Sequence, residues 1–306
     1  MNRRHFLQAT AAAATTAAVS AQTAPNWGGS VLDIHFHFRR GANANAMHLD
    51  GSGVSHAVLL TRYDDDELAK AEVAAHPKRY VRFTQADITK PEGIEQLRAA
   101  AKSGTRGFGE IKFHVAVDGP EMKRLYDLAA DLGLPVLIHF GEVEQFKGEG
   151  VFTTPYRNLP AVLKAHKRTT FIGHADAFWA NVSAKVPMDT PYPEGPIQRG
   201  GLTDKMLADY PNLHGDLSAN SGRNALARDS EFTRDFLKRH QNKLMFGCDC
   251  SCTDGKGAGQ RSDRPLIKGK CVARETLAAL KQSTSPEVFR KLTWTNAVKL
   301  LKLDFA

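Results

Sequence analysis

Several histidines and one aspartate stand where apolar runs of the sequence end, and their types suit metal-assisted chemistry. The first such run contains Asp33-x-His35-x-His37. In a regular β-strand these three side chains share one face, with Leu32, Ile34, Phe36 and Phe38 on the other. Two imidazoles spaced in this way can bind one metal ion. Later apolar runs end on further candidate ligands: His139, His174 and Asp249.

Each of these residues has a simpler interpretation when it is taken alone. A single histidine at the end of an apolar strand is more often a buried structural residue than a ligand. An aspartate after a strand often caps the helix that follows. Several such residues at the same end of successive strands favour a common site, because parallel strands in a barrel bring their C-terminal ends together.

The elements that would position these residues alternate between strand and helix. Eight runs are predicted to be strands: 31–38, 56–60, 80–86, 106–113, 134–140, 169–174, 212–217 and 243–249. Helices are predicted at 44–53, 64–76, 90–103, 119–132, 159–167, 201–210, 224–240, 271–281 and 286–301. This alternation predicts an α/β fold, a (β/α)8 TIM barrel with a long loop at 175–200 after strand six and a C-terminal helical tail. An open doubly wound sheet is the alternative, but no Gly-x-Gly-x-x-Gly follows a strand.

The charge composition does not indicate a nucleic-acid partner. The 306 residues include 41 Lys and Arg, and the formal net charge is +8. These basic residues are spread along the chain, with no block of five or more like charges and no motif of a nucleic-acid-binding module. We therefore expect a basic protein with a small-molecule substrate and no nucleic acid. The sequence does not indicate the oligomeric state, and a homo-oligomer remains open.

The N-terminus resembles a twin-arginine signal peptide. Arg3 and Arg4 precede a weakly apolar run, Ala9–Val19, and a small-x-small cleavage sequence that ends at Ala21. The run is too short to span a bilayer, so no stable membrane insertion is expected. We expect residues 1–21 to engage the twin-arginine export machinery and to be removed, leaving residues 22–306 as one periplasmic barrel domain. A disordered Ala-rich tail is the alternative.

The four cysteines lie close together near the end of the chain: Cys248, Cys250, Cys252 and Cys271. In an oxidising compartment Cys252 and Cys271 could form a disulfide, although sequence does not determine the pairing. The Cys-x-Cys-x-Cys run also resembles part of a zinc cluster, but no second cluster has a familiar spacing. Structural or disulfide-bonded cysteines are therefore favoured over a separate metal site.

The ordered set of motifs resembles the amidohydrolase superfamily of metal-dependent barrels. Asp33-x-His35-x-His37, the strand-end His139 and His174, and Asp249 after Phe246-Gly247 carry the resemblance. Other segments resemble the amidohydrolase-related (amidohydrolase 2) branch: Leu134–His139, Phe171–His174, Asn212–Ser218 and Asn296–Leu301. The resemblance covers residues 30–303 and implies a barrel enzyme. It does not specify the reaction, because the branch includes hydrolases and non-oxidative decarboxylases.

The resemblance implies one divalent metal, with zinc preferred and manganese an alternative. The implied ligands are His35, His37, His139 and Asp249. Asp249 and His174 are the candidates for moving the proton of a bound water.

Two-metal members suggest a different role for the fourth strand and for His174. In them His174 would ligate a second ion, which Glu110 or Lys112 would bridge to the first. The alternative, which we favour together with a single metal, is that Glu110 and Lys112 pair with each other or with neighbours in the barrel. Asp33 is expected to brace the site by hydrogen bonding without touching the metal.

Substrate recognition is expected to come from loop residues. Arg39 and Arg40 directly follow the first histidine motif, and Arg223 lies near a strand end. Arginines bind carboxylates through two parallel hydrogen bonds. Trp179, in the loop after His174, could wall an aromatic pocket or pack that loop onto the barrel.

Three functions are consistent with these features. The first is hydrolysis of an amide, lactone or ester bond in a small carboxylated substrate by a metal-activated water. The second is metal-assisted decarboxylation of a cyclic or aromatic carboxylate. The third is a degenerate, non-catalytic periplasmic binding protein, which would require the loss of at least one ligand position.

Overall fold

Eight parallel strands in sequence order form the central sheet. The computed structural model describes residues 23–305, so the expected signal peptide, residues 1–21, lies outside the described part of the chain. The strands are β1 Leu32–His37, β2 His56–Arg62, β3 Tyr80–Gln85, β4 Phe108–Ile111, β5 Val136–His139, β6 Phe171–His174, β7 Leu213–Asp216 and β8 Leu244–Met245.

Hydrogen bonds between β1 and the chain just after β8 close the sheet into a barrel. The amide of Ile34 donates to the carbonyl of Phe246 (3.1 Å), and the amide of Asp249 donates to the carbonyl of His35 (2.8 Å). Because these bonds join the chain after β8 to β1, the sheet has no open edge there. The predicted (β/α)8 barrel is confirmed.

Twelve α-helices accompany the strands in the described part of the chain. They are α1 Ala44–Ser52, α2 Asp66–Ala75, α3 Gly93–Lys102, α4 Pro120–Leu132, α5 Leu159–Ala165, α6 Ala175–Ala180, α7 Leu202–Asp209, α8 Ala219–Arg228, α9 Ser230–Arg239, α10 Val272–Ser283, α11 Pro286–Arg290 and α12 Asn296–Leu301. A π-helical segment, Lys291–Thr295, joins α11 to α12. Within residues 23–305 no helix combines the length and the apolarity that crossing a membrane requires.

Two predicted segments differ from the structure. The predicted helix at 224–240 is two helices, α8 and α9, because Asp229 ends the first and caps the second. Its carboxylate accepts from the amides of Glu231 (3.1 Å) and Phe232 (3.0 Å), which are otherwise unpaired at a helix start. The predicted loop at 175–200 begins with the buried helix α6.

Two apolar clusters surround the strands. The larger one packs the outward residues of the strands against the helices. The smaller one contains alternate strand residues with Ala297 and Leu301 of α12, and no residue of α1 to α10, so it fills the barrel interior. The side chain of Asn296 donates to the carbonyls of Gln241 (2.7 Å) and Leu244 (2.8 Å). Because Leu244 begins β8, this tail closes the N-terminal end of the barrel and leaves the other end open.

The regular alternation expected along β1 is wrong. Leu32 and Ile34 belong to the interior cluster, whereas Phe36 packs in the outer one. The pairing of β1 with β2 shifts register between Asp33 and Phe36, and such an irregularity changes the face on which later side chains lie.

Candidate metal centre

Polar side chains from six strands meet at the C-terminal end of the barrel. β1 contributes His35 and His37, and β4 contributes Glu110. The later strands contribute residues at or just beyond their ends: His139, His174, Asp216 and Asp249. The expectation that the strand ends converge is therefore met, and three residues without a ligand role in the single-metal interpretation, Glu110, His174 and Asp216, lie among them.

The first group of ligand atoms comprises two imidazole nitrogens and two carboxylate oxygens. His37 Nε2 lies 3.3 Å from Asp249 Oδ1 and 3.5 Å from Glu110 Oε2. His35 Nε2 lies 3.9 Å from Asp249 Oδ1 and 3.8 Å from Glu110 Oε2. Ligand atoms around one ion with bonds of about 2.0–2.2 Å are separated by about these distances. These four side chains could hold one divalent cation.

A second group lies on the other side of the Glu110 carboxylate. Glu110 Oε1 is 2.5 Å from His139 Nδ1 and 3.6 Å from His174 Nε2. The ligand atoms of these three residues all lie within 4.8 Å of one another, as do those of His35, His37 and Glu110. His139 therefore joins Glu110 and His174 rather than the two histidines of β1. The two oxygens of one carboxylate face two different groups.

Asp216 orients two of these imidazoles. Its Oδ2 atom lies 2.6 Å from His35 Nδ1 and accepts from the Ser218 hydroxyl at 2.7 Å. Because that hydroxyl donates its only proton to Asp216, the Nδ1–H of His174, 2.9 Å away, donates to the serine oxygen. Both imidazoles thus donate from Nδ1 and direct an Nε2 lone pair toward Glu110. Asp216 stands at the end of β7, just as the residues identified from the sequence stand at the ends of their strands. The same criterion applied to β7 would have identified Asp216.

The carboxylates make the centre attractive to positive charge. Burial disfavours the charged form of His35, but Asp216, Asp249 and Glu110 outweigh this effect and raise its pKa to about 10. Burial likewise opposes ionisation of Glu110, yet the neighbouring imidazoles, first that of His139, hold its pKa well below the usual range. The pKa of Asp249 is lowered in the same way, mainly by His35 and His37 against the effect of burial. The negative charge of these carboxylates favours a proton on His35. A metal cation could take the place of that proton.

The residues present fit a metal. The Nε2 atom of His35, which faces Glu110 and Asp249, is buried and has no hydrogen-bond partner among the described residues, and an unpaired buried nitrogen is costly unless something binds it. Imidazole and carboxylate ligands suit zinc, and the carboxylate share also suits manganese.

The backbone brings Asp249 to the centre through a close passage between β1 and β7. A Cβ atom on Gly247 would lie 2.3 Å from Asp216 Oδ1 and 2.8 Å from the Cβ of His35, so only glycine fits there. Asp249 itself has φ of 46°, a conformation rare outside glycine that recurs at functional sites. Asp33 accepts from the amides of His35 and Cys248 at 2.9 Å each. These two hydrogen bonds tie β1 to the chain after β8.

A cavity of about 580 Å³, called the main cavity below, opens above the centre. Its lining includes His37, Glu110, His139, His174 and Asp249, together with loop residues: Gln145, Phe146, Tyr192, Asn220, Gln260, Arg261 and Arg264. A neighbouring cavity of about 450 Å³ shares His37, Glu110 and Lys112. A smaller cavity of about 320 Å³ at the opposite end of β1 is lined by no histidine, cysteine or carboxylate.

Four residues expected to bind the substrate lie elsewhere. Arg39 donates to the carbonyls of Cys250 and Cys252 (2.6 Å each), and Arg40 pairs with Asp65 on the surface. Neither of these nor Arg223 lines the main cavity. Trp179 is buried in the protein and donates to the carbonyl of Asp216 at 2.9 Å, so it packs its segment onto the barrel.

Lys112 does not pair with Glu110. Its Nζ lies 2.5 Å from Glu149 Oε1 and 4.5 Å from the centroid of the Phe152 ring. Of the two pairings expected for the fourth strand, the structure shows the one with neighbours: Glu149 pairs with the lysine, and Glu110 is left to the histidines. The cations that sequence reasoning missed are Arg261 and Arg264, in a loop with no strand or helix pattern to mark it.

Solved structures share this fold at low sequence identity. 5-Carboxyvanillate decarboxylase from Sphingomonas paucimobilis has a TM-score of 0.56 at 11% identity, over 90% of this chain and 99% of that one. The corresponding enzyme from Novosphingobium aromaticivorans, in complex with manganese and 4-hydroxy-3-methoxy-5-nitrobenzoic acid, also has a TM-score of 0.56 at 11% identity, over 92% and 98%. Dihydroorotase from Campylobacter jejuni has a TM-score of 0.54 at 16% identity, over 90% and 84%.

The sequence itself matches one family model. No curated protein is significantly similar to the chain in sequence. The family model described as amidohydrolase matches residues 33–187, a little over half of the chain, from the Asp-x-His-x-His motif through His139 and His174. The chain belongs to the amidohydrolase family.

Proposed function

We propose that the protein is a metal-dependent hydrolase that cleaves an amide, lactone or ester bond of a small carboxylated substrate. One observation supports this proposal above all. The carboxylate of Glu110 lies between two groups of ligands at the barrel mouth, within 3.8 Å of nitrogens from four histidines. Such an arrangement suits a pair of divalent cations that share one carboxylate.

Under this proposal the residues form two metal-binding positions. His35, His37 and Asp249 would hold the first cation, His139 and His174 the second, and Glu110 would bridge them. This replaces the single metal favoured from the sequence, and we propose zinc, with manganese as the alternative. When bound, such cations lower the pKa of a water molecule and polarise the substrate carbonyl.

Asp249 is proposed to move the proton. Its carboxylate is 31% exposed and faces the main cavity, so it can accept a proton from water and return it to the departing nitrogen or oxygen. Its pKa, held below the usual range, keeps it ionised at neutral pH. His174 is less suited to that role, because Ser218 engages its Nδ1 and Glu110 faces its Nε2.

Arg261 and Arg264 are proposed to bind the substrate carboxylate. Both line the main cavity, and neither forms an ion pair with a carboxylate of the described residues. The Arg264 guanidinium stacks 4.7 Å from the centroid of the Tyr192 ring, which holds the cation at the cavity wall. A guanidinium without a protein anion is available for two hydrogen bonds to a carboxylate.

Metal-assisted decarboxylation is the second candidate. The observation in its favour is that two of the similar folds belong to decarboxylases of 5-carboxyvanillate. In such a reaction the same cavity would hold a cyclic or aromatic carboxylate, and no water would enter the product. A non-catalytic binding protein is disfavoured, because every ligand position is filled.

Turnover in isotopically labelled water separates these functions. We expect the zinc-loaded protein to convert a member of a panel of carboxylated amides, lactones and esters, with labelled oxygen in the product and full loss after chelation. Carbon dioxide release without label would support the decarboxylase instead. Metal binding with no turnover of either class of substrate would contradict both and favour the binding protein.

We also propose that residues 1–21 direct export to the periplasm. The paired Arg3 and Arg4 before a short apolar run support this proposal. A reporter fused after residue 30 should reach the periplasm through the twin-arginine route, and replacing both arginines with lysine should keep it in the cytoplasm. A reporter that is cytoplasmic in both cases would contradict export.

A further inference from the structure

A second cluster of metal-ligating side chains lies outside the candidate centre. His48 comes from α1, Cys250 and Cys252 follow β8, and Cys271 immediately precedes α10. All four residues are buried, and their ligand atoms lie within 4.8 Å of one another. Segments more than two hundred residues apart in the chain thus present three thiols and one imidazole to a common point.

The spacing of these atoms suits a tetrahedral ion better than a disulfide. Cys250 Sγ lies 3.2 Å from Cys252 Sγ and 4.0 Å from Cys271 Sγ, which in turn lies 3.8 Å from His48 Nε2. Zinc bonds of about 2.3 Å to sulfur and about 2.0 Å to nitrogen place tetrahedral ligands about 3.5–3.8 Å apart. A disulfide requires about 2.05 Å between the sulfurs, and the four cysteines of the chain carry free thiols in the structure.

Two N–H groups donate to one sulfur of the cluster. Cys250 Sγ accepts from the amide of Val272 at 3.3 Å and from the side chain of Gln260 at 3.5 Å. Arg39, the cation that contacts this segment, donates to backbone carbonyls and not to sulfur. A bound cation would therefore supply the positive charge that these groups lack.

We propose that His48, Cys250, Cys252 and Cys271 bind a structural zinc ion, separate from the candidate metal centre. Soft sulfur ligands with one imidazole select zinc over the hard divalent cations. Four protein ligands in a buried cluster leave no open position, which distinguishes a structural site from a catalytic one. This proposal stands whether or not the hydrolase proposal holds.

The ion would fix one wall of the main cavity. Cys250 directly follows Asp249, and the segment 253–270 between the last two cysteines contains no helix or strand. That segment supplies Gln260, Arg261 and Arg264 to the cavity. A zinc ion bound by the cysteines that flank this segment would fix the loop that carries Arg261 and Arg264 relative to Asp249. The importance of that position for substrate binding rests on the proposed function.

Metal analysis of a variant without a working candidate centre tests the site directly. We expect the His37→Ala protein, purified and treated with a mild chelator, to retain about one equivalent of zinc. Adding Cys252→Ser should remove that zinc, and adding Cys248→Ala should not, because Cys248 lies outside the four-residue cluster. Retention in the Cys252→Ser protein, or loss of all zinc from the His37→Ala protein, would overturn the proposal.

Cobalt substitution gives a second test in the wild-type chain, so it does not depend on the folding of a variant. Protein stripped under denaturing conditions and refolded with cobalt should show the near-ultraviolet charge-transfer band of cobalt thiolates. The candidate metal centre has no sulfur ligand and cannot produce this band, so hydrolase failure and zinc-site failure remain distinguishable. Absence of the band, iron in place of zinc, or a disulfide found by thiol counting in the denatured native protein would each overturn the proposal.

Discussion

His35 and Asp216 form a buried pair in which the imidazole Nδ1 lies 2.6 Å from the carboxylate Oδ2. Neither side chain is exposed, and Gly247 keeps the space between them clear of a third side chain. Because the carboxylate accepts from Nδ1, the lone pair of His35 resides on Nε2 and faces Glu110 and Asp249. Asp216 thereby orients the imidazole whose Nε2 would bind a cation.

Asp216→Asn should weaken metal binding without unfolding the barrel. The amide keeps the shape of the carboxylate but removes its negative charge. That charge orients the His35 imidazole and makes it more basic. We expect the affinity of the centre for zinc to fall by about 10–100-fold, as measured by competition with a chromophoric chelator. Asp131→Asn, which breaks an exposed pair with Arg168, is the matched control. Unchanged affinity in the Asp216→Asn protein would show that this pair does not tune the centre.

Arg264→Met should impair the use of anionic substrates. The change removes a guanidinium at the cavity wall while keeping a side chain of similar length beside Tyr192. A charge-assisted hydrogen bond contributes about 1.5–3 kcal/mol, so KM should rise about 10–100-fold with kcat little changed. A neutral analogue of the same substrate should show no difference.

Arg40 provides the control for this experiment. It is exposed and paired with Asp65, so Arg40→Ala should leave KM as it is. Equal effects of the Arg264 and Arg40 substitutions would mean that overall charge, and not a carboxylate-binding position, governs affinity.

Trp179→Phe should lower stability and leave substrate affinity unchanged. The indole donates to the carbonyl of Asp216 and packs edge-on against Phe178. Leaving that buried carbonyl unpaired costs about 1–3 kcal/mol in the free energy of unfolding, which denaturant titration would measure. Phe146, which lines the cavity and is 70% exposed, offers the contrast, since Phe146→Ala should change stability by less than about 0.5 kcal/mol. A raised KM in the Trp179→Phe protein would indicate that Trp179 contributes to substrate binding.

His214 should make the protein less stable in mild acid. Burial and the nearby Lys243 lower its pKa to about 4, against about 6.5 in the unfolded chain. Between these values the unfolded chain binds the extra proton, so stability falls as the pH drops from about 6.5 toward 4. His214→Gln should flatten this part of the pH dependence of unfolding, whereas His76→Gln, at an exposed position, should not. Parallel curves for all three proteins would exclude His214 as a source of acid sensitivity.

The order of the elements could be predicted from the sequence because each signal is local. Apolar runs, helix caps such as Gly133, and the strand-end histidines each depend on a few neighbouring residues. The partners of the polar residues depend on the closed barrel instead. Lys112 pairs with Glu149 from the loop after β5, which frees Glu110 to face four histidines. No residue near Glu110 in the sequence indicates the pair of Lys112 with Glu149 or the contacts of Glu110 with the histidines.

The loop residues illustrate the same limit at the substrate pocket. Their position just after the first histidine motif favours Arg39 and Arg40 as substrate-binding residues, yet their guanidinium groups turn to the backbone of Cys250 and to Asp65. Arg261 and Arg264 reach the cavity from a segment without regular structure that lies between Cys252 and Cys271. His48 and Cys271, far apart in the sequence, lie 3.8 Å apart in the folded chain.

The proposed bridging role of Glu110 is tested most directly by the metal content of the Glu110→Gln protein. Elemental analysis should count the zinc that a mild chelator removes, with Glu149→Gln as the control, since that residue pairs with Lys112 beside the cavity. We expect wild type and control to release about two equivalents and the Glu110→Gln protein to release almost none, with turnover lowered more than about 100-fold. Wild-type metal content and turnover in a folded Glu110→Gln protein would contradict a centre built around this carboxylate.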